Sequence, residues 1–204
     1  MKKIFVIGGM GAGKSKAAQA LVKQGLPLID LDKVGHGVLH MDVVKAELRD
    51  TFGDGVFDEN GEVVRSALAQ VAFATPTDTR KLNRITMPRI EDTFRARLDE
   101  YEAAGVPAVV VEYSVFKNRE MSLAYLADVV VAVLAPVEVR VQRAVAAGWD
   151  ELDVRRRMAR QITDADRADQ ADVSFNNVGT PEDLEAEVVA WWKAYAAENG
   201  IALA

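Results

Sequence analysis

A glycine-rich segment near the start of the chain has the residue types and spacing that bind a nucleotide phosphate. Residues 8–15 read GGMGAGKS and fit the pattern G-x-x-x-x-G-K-[ST]. Glycines let backbone N–H groups point inward around an anion, and the helix predicted to follow adds its positive N-terminal dipole. Lys14 supplies a charge for the β- and γ-phosphates, and the Ser15 hydroxyl is a ligand for Mg²⁺. The nucleotide-binding candidates are Gly9, Met10, Gly11, Ala12, Gly13, Lys14, Ser15 and Lys16.

This phosphate-binding loop, or P-loop, does not by itself identify a reaction, because kinases, GTPases, ATPase motors and nucleotide sensors share it. A purely structural glycine-rich turn is the alternative, but such a turn needs neither Lys14 nor Ser15. The chain has 204 residues, which is too short for most motors, and it lacks the guanine-binding pattern N-K-x-D. A small-molecule kinase remains, since such an enzyme requires only a P-loop, an acceptor site and a closing lid.

Two aspartates follow the second apolar run of the chain, in the sequence PLIDLD. If the extended geometry persists, Asp30 and Asp32 face the same side of the strand. A carboxylate there could orient Mg²⁺ or accept the proton of an attacking hydroxyl, but aspartates at such junctions also cap helices. Beside a P-loop we favour a functional role for Asp32. Glu112 ends another apolar run and fits a Walker-B-like acid or a capping residue equally well.

Short apolar runs alternate with helical patterns along the rest of the chain. We predict strands at residues 3–7, 26–29, 106–113, 127–135 and 171–179. We predict helical structure at residues 14–24, 33–104, 136–171 and 181–198, with breaks at residues 52–63, Pro76 and Pro88. The continuous valine runs suit parallel strands covered on both faces, so we expect the α/β class with a parallel sheet.

The carboxyl ends of parallel strands form the ligand-binding rim of an α/β sheet. We therefore expect four segments that are distant in sequence to meet at one rim, namely residues 8–15, 30–32, 112–114 and 176–177. Trp191 and Trp192 lie on the closing helix, where we interpret them as core residues rather than as a platform for a nucleobase.

Composition excludes several classes of site. The chain has no cysteine, so disulfides, thiolate nucleophiles and cysteine zinc sites are excluded, and its only histidines are His36 and His40. The net charge of −6 argues against broad binding to nucleic acid or to a membrane surface. We see neither a signal peptide nor a run of membrane-spanning length. We expect a soluble, cytoplasmic, single-domain protein that is a monomer or a weak oligomer.

Six segments, taken in order, resemble the dephospho-coenzyme A kinase family over nearly the whole chain: GGMGAGKS, GLPLIDLD, FGDGVFDENGEVVRSAL, LNRITMPRI, RRRMARQ and ADVSFNN. The resemblance implies transfer of the ATP γ-phosphate, with Mg²⁺, to the ribose 3′-hydroxyl of dephospho-coenzyme A. That reaction is the last step of coenzyme A biosynthesis.

The same resemblance implies a P-loop nucleoside triphosphate hydrolase/kinase fold with three parts. The parallel-sheet core would comprise residues 1–32, 105–140 and 170–204, the helical acceptor-binding insertion about 33–104, and the helical lid about 141–169.

Matching the family's motifs position by position implies roles for individual residues. Asp32 matches the family's general base beside the acceptor, and Arg65 matches an arginine near the acceptor site. Arg143 matches a lid arginine that meets phosphate charge, so Asp32, Lys14 and Arg143 are the catalytic candidates. Asn176 and Asn177 match the segment near the adenine of ATP. Without the resemblance, Arg65 and Arg143 would be interpreted as solvated helix charges, as are Arg155, Arg156, Arg157 and Arg160.

The chain departs from the family pattern in its acceptor and lid segments. His36 stands where the family has arginine, Met87 where it has histidine, and Lys117 where it has an acid. A second lid arginine is missing near residues 146–148, and Asp169 takes the place of a lysine. These departures keep two alternatives open. One is a related kinase with a nucleoside monophosphate acceptor, and the other is an ATP-binding relative without catalysis.

Overall fold

A computed structural model describes residues 1–203, and its secondary structure alternates strands and helices. In chain order the elements are β1 (Lys2–Gly8), α1 (Lys14–Val22), β2 (Leu28–Asp30), α2 (Leu31–Val38), α3 (Asp42–Phe52), α4 (Arg65–Ala72), α5 (Pro76–Ala103), β3 (Ala108–Glu112), β4 (Val129–Leu134), α6 (Val137–Ala146), α7 (Glu151–Met158), α8 (Asp164–Gln170), β5 (Val173–Asn176) and α9 (Pro181–Glu198). The chain forms two compact units. One combines residues 1–30 with the chain from Asp99 onward, and the other comprises residues 31–98.

The first unit is built on a five-stranded sheet in the order β2-β3-β1-β4-β5, and every pairing is parallel. The predicted α/β class with a parallel sheet is confirmed. Strand β1 lies at the centre, with Val6 beside Glu112 of β3 and Gly8 beside Val133 of β4. The interiors of β1, β3 and β4 are buried because helices cover the sheet, which explains the continuous valine sequences of β3 and β4.

Helices α1 and α9 cover one part of this sheet and share its largest apolar cluster. Leu21 of α1 and Val188 of α9 are fully buried, and Trp192 is 2% exposed. Trp191 packs its ring against Phe175 of β5, with the ring centroids 6.2 Å apart and their planes nearly perpendicular. The predicted core packing is confirmed, with Trp192 buried in the cluster and Trp191 partly buried against it.

The second unit, residues 31–98, has a separate apolar core. Its members come from α3, from the 3₁₀ turn at Asp54–Val56, from α4 and from α5, and they are Val44, Leu48, Val56, Leu68, Ala72 and Ile85. The predicted break at residues 52–63 is an irregular turn closed by an antiparallel bridge between Phe57 and Val63. The Arg49 guanidinium lies 4.2 Å from the centroid of the Phe57 ring, an attractive cation–π contact.

The predicted break at Pro88 is wrong. Pro76 begins α5, as a proline at a helix start should, but the helix then continues through Pro88 to Ala103. A proline removes one N–H donor and crowds the carbonyl four residues before it. Helix α5 tolerates this loss because buried residues on both sides of the proline, Ile85 and Phe94, hold the helix by packing. No helix among residues 1–203 combines the length and hydropathy required to cross a membrane.

Helix α9 begins with a capping box that we expect to contribute to stability. The Asp183 amide donates to Thr180 Oγ1 at 3.1 Å, and the Thr180 amide donates to Asp183 Oδ2 at 2.8 Å. Thr180→Ala removes the first bond and also the bond that Thr180 Oγ1 donates to Asp183 Oδ2 at 2.8 Å, and it should destabilise the protein by about 1 kcal/mol. A loss of that size lowers Tm by about 2–4 °C in a chain of this length. Thr51→Ala, on an exposed position of α3, should change stability by less than about 0.5 kcal/mol.

Thermal and urea unfolding at neutral and acid pH would measure both effects. The hydrogen bonds from Thr180 lower the pKa of Asp183, so their contribution is present above the ordinary carboxyl range and is lost as the pH falls below about 4. Thr180→Ala keeps the bond from the amide but loses the bond from the hydroxyl, so the difference between wild type and Thr180→Ala should narrow in acid by the share of the hydroxyl bond. An equal loss in Thr180→Ala and Thr51→Ala would contradict the assignment.

Candidate active site

The P-loop occupies the predicted place, between the end of β1 at Gly8 and the start of α1 at Lys14. Gly11 and Gly13 have φ values of 75° and 103°, in the left-handed region that favours glycine. The amides of Lys16 and Ala17 donate to the Gly13 carbonyl at 2.9 and 3.1 Å, which starts the helix directly from the loop. The strand and the helix that the motif requires are therefore both present.

Glu112 brings the two functional side chains of the loop together. Ser15 Oγ donates to Glu112 Oε1 at 2.6 Å, and the Lys14 ammonium donates to the same oxygen. Glu112 ends β3 and is 8% exposed, next to Asp30 of β2 in the sheet register. The carboxylate follows an apolar strand and faces the P-loop, which is the geometry of a Walker-B-like acid.

Asn177 connects the segment after β5 to the P-loop. Its Nδ2 donates to the Ala12 carbonyl at 2.7 Å, and its Oδ1 accepts from Arg143 Nη2 at 3.4 Å. The approach is close, since a β-carbon on Gly13 would lie 2.2 Å from Asn177 Nδ2. Asn177 therefore fixes the loop and the Arg143 guanidinium in one arrangement.

A cavity of about 400 Å³ opens beside this connection. It is lined by Asn176, Asn177, Val178, Gly179, Asp183, Leu184, Ala186 and Glu187. Asn176 is exposed at the end of β5, whereas Asn177 is buried. The volume lies within the range of small-ligand sites, and its position next to Gly13 makes it suitable for the base of a nucleotide bound at the P-loop.

A pair of buried arginines, which were not predicted from the sequence, lies on another side of the loop. Arg140 of α6 and Arg167 of α8 are 5% and 2% exposed. Both form ion pairs with one oxygen of Asp164, at 3.7 Å from Arg140 Nη1 and 2.7 Å from Arg167 Nη1. Burial lowers the pKa of Arg167, while Asp164 acts in the opposite direction. Guanidinium groups remain charged at neutral pH, so positive charge is concentrated here.

Nothing in the local sequence separates these arginines from their exposed neighbours. Arg140 occurs in the same charged helical pattern as Arg143, and Arg167 lies among aspartates. By contrast, Arg155 pairs with Glu138 and Glu151 on the surface, in agreement with the predicted solvated face. The signal that distinguishes Arg140 and Arg167 is burial, which only the folded chain supplies.

Asp32 and Arg65 belong to the unit of residues 31–98. The extended geometry does not persist to Asp32, because α2 begins at Leu31 and places Asp32 in its first helical turn. Residues two apart share a side in a strand but not in a helix, so Asp30 and Asp32 are not equivalent. Arg65 is the exposed first residue of α4. The roles of Asp32 and Arg65 stay predictions.

Substituting Asn177 tests how strongly it holds the loop. Asn177→Ala leaves the Ala12 carbonyl and the Arg143 guanidinium without this partner, which should cost about 1–3 kcal/mol of unfolding free energy. Asn176→Ala, on the exposed neighbour, should cost less than about 0.5 kcal/mol. Urea unfolding of both variants measures the difference. Equal losses would show that Asn177 does not stabilise the loop.

The chain is similar in sequence and in fold to known proteins. A sequence model of the dephospho-CoA kinase family matches residues 3–183. A protein of Corynebacterium jeikeium named dephospho-CoA kinase is 40% identical over 195 residues, covering 94% of this chain and 98% of the relative. One of the same name from Corynebacterium glutamicum is 39% identical over 189 residues, covering 92% and 94%. The solved structure of dephospho-CoA kinase from Campylobacter jejuni has the same fold, with a TM-score of 0.74, 21% identity, and coverage of 98% and 100%.

Proposed function

The chain belongs to the dephospho-CoA kinase family, and we propose that it transfers the γ-phosphoryl group of ATP to the ribose 3′-hydroxyl of dephospho-CoA. Within the described residues, the observation that carries this proposal is the convergence of Lys14 and Ser15 on Glu112 at a P-loop. A glycine-rich loop with only a structural role would not need a lysine and a serine that contact the same carboxylate. The chain is accordingly an ATP-dependent phosphotransferase of coenzyme A biosynthesis.

Phosphate binding rests on residues 9–16. Backbone amides of the loop and the N-terminus of α1 face the anion, and Lys14 adds a full positive charge. When a nucleotide binds, its phosphates compete with the Glu112 carboxylate for the Lys14 ammonium. Asn176 and Asn177 line the adjoining cavity, and we assign the adenine of ATP to it.

The residues at the loop also fit Mg²⁺. The Ser15 hydroxyl and the Glu112 carboxylate are both oxygen ligands and lie 2.6 Å apart. Among residues 1–203 no group of three or more acidic or histidine side chains could hold a metal alone. This suits Mg²⁺, which binds through one or two protein oxygens together with phosphates and water. When bound, Mg²⁺ neutralises charge on the β- and γ-phosphate oxygens.

The acceptor half of the proposal rests on the family resemblance. Residues about 33–104 form the acceptor-binding insertion, which carries Arg65 for binding the acceptor. Asp32, immediately before this insertion, takes the proton of the attacking hydroxyl. Residues about 141–169 form the lid, and Arg143 offsets phosphate charge during transfer. The hydrogen bond between Arg143 and Asn177 supports this, because Asn177 also binds the P-loop.

Asp32→Asn tests the proposed reaction. With ATP, Mg²⁺ and dephospho-CoA, the rate of ADP formation should fall by about 10²–10⁴-fold, the usual contribution of a general base. The affinity for ATP, measured by calorimetry, should be unchanged. Asp50→Asn, at an exposed position of α3, is the matched control and should retain the wild-type rate.

The acceptor is tested with the wild-type protein at fixed ATP. A clear preference for dephospho-CoA over AMP, CMP and UMP supports the proposal. A preference for a nucleoside monophosphate would replace it with the related kinase that the departures at His36, Met87 and Lys117 suggest. Binding of ATP without transfer to any acceptor would indicate a relative without catalysis.

Glu112→Gln tests the metal-binding assignment. The substitution keeps the shape of the side chain but removes its charge, so the Mg²⁺ concentration for half-maximal rate should rise by about tenfold or more. Glu120→Gln, at an exposed position outside the site, should leave that concentration unchanged. An unaltered Mg²⁺ dependence in Glu112→Gln would remove Glu112 from the metal site.

A further inference from the structure

Arg140, Arg167 and Asp164 form a buried group with an excess of positive charge beside the P-loop. We propose that Arg140 and Arg167 bind the terminal phosphoryl group of ATP and make the site prefer a nucleoside triphosphate to a diphosphate. This inference rests on the proposed function, since it concerns the nucleotide of that same site. It assigns to Arg140 and Arg167 a part of the role that the family resemblance implies for Arg143.

The buried group has more positive than negative charge, and some of its hydrogen-bond donors have no acceptor in the described part of the chain. Two guanidinium groups share one carboxylate, which leaves a net charge of one positive unit. Among residues 1–203, Nε and Nη1 of Arg140 have no hydrogen-bond partner although both atoms are buried. Arg140 Nη1 lies 3.7 Å from Asp164, too far for a hydrogen bond. A buried charge with unused donors is costly, and an anion with several acceptor oxygens would satisfy it.

Arg140 and Arg167 both lie close to Gly9 of the P-loop. A β-carbon on Gly9 would lie 1.8 Å from Arg140 Nη1 and 3.3 Å from Arg167 Nη1. Unlike Gly11 and Gly13, Gly9 does not have a left-handed φ, so its backbone would permit alanine. A β-carbon at this position would overlap the Arg140 guanidinium, which would have to move away. Both arginines therefore lie directly against the loop that holds the phosphates.

Hydrogen bonds and ion pairs hold the two guanidinium groups in fixed positions. Asp164 Oδ2 accepts from the Ala135 amide just after β4, at 3.2 Å, while its Oδ1 pairs with both arginines. A capping box between Thr163 and Asp166 fixes the start of α8, which carries Arg167. Donors held in advance stabilise developing charge more than mobile ones, because they need not reorganise during the reaction.

The positions of Arg140 and Arg167 suit the chemistry of phosphoryl transfer. The bond from the γ-phosphorus to the bridging oxygen breaks, and its electron pair leaves with ADP. The acceptor oxygen forms a new bond to phosphorus, and its proton passes to Asp32. Charge remains on the three other oxygens of the transferred group throughout, and guanidinium groups bind such oxygens in a planar, two-pronged geometry.

The test compares the affinities for ATP and ADP, measured by calorimetry with Mg²⁺ and without acceptor. Arg140→Met and Arg167→Met should each weaken ATP binding by about tenfold or more, and leave the ADP affinity within about twofold. Arg140→Lys should lie between wild type and Arg140→Met. Arg160→Met, on an exposed position after α7, should match the wild type. Equal losses for ATP and ADP, or an unchanged ratio of affinities, would overturn the proposal.

Gly9→Ala provides an independent test through a double-mutant cycle. The added methyl group should displace the Arg140 guanidinium and reduce the preference for ATP, as Arg140→Met does. In the Arg140→Met background, Gly9→Ala should then have no further effect on the ATP/ADP ratio. Additive effects would show that the methyl group acts on the nucleotide directly and would contradict the proposal. Because no acceptor is present, a wrong acceptor assignment leaves these results unaffected.

Discussion

The parallel pairing of β1 between β3 and β4 is the constraint on which the site depends. It places Gly8 beside Val133 so closely that a β-carbon on Gly8 would lie 2.7 Å from the Val133 carbonyl oxygen. The chain leaves the sheet after Gly8 and passes through the short loop of residues 9–13 into α1. On the other side of β1, the same register brings Glu112 to the edge from which the P-loop departs. The loop thus acquires its acidic partner from the sheet rather than from nearby sequence.

Local charge at the loop differs from the charge of the whole chain. The net charge is −6, yet Lys14, Arg140, Arg143 and Arg167 are gathered around the loop. The carboxylates of Glu112 and Asp164 offset part of this charge and hold the cations in place. The net charge therefore excludes a broad basic face but does not describe the field at a small buried site, which depends on which few charges the fold brings together.

Features with a local cause could be predicted from the sequence. The glycine pattern requires a tight turn wherever it occurs, and the valine runs require burial, so the P-loop and the strands were correctly placed. The predictions were wrong where tertiary packing determines the secondary structure. At Pro88, packing of the buried face of α5 stabilises the helix by more than the lost hydrogen bond destabilises it. The helical start at Leu31 and the burial of Arg140 likewise depend on neighbours that are remote in sequence. The roles of Asp32 and Arg65 rest on family resemblance.

The hydrogen bond from Asn177 to the Ala12 carbonyl also has a consequence for folding. It joins residues 165 positions apart, so the P-loop reaches its final shape only when β5 and the segment after it have joined the sheet. Contacts of such long range form late because they require the closure of a long loop. The P-loop is therefore among the last parts of the sheet unit to become rigid. Nucleotide binding at the finished loop reports that the sheet is complete.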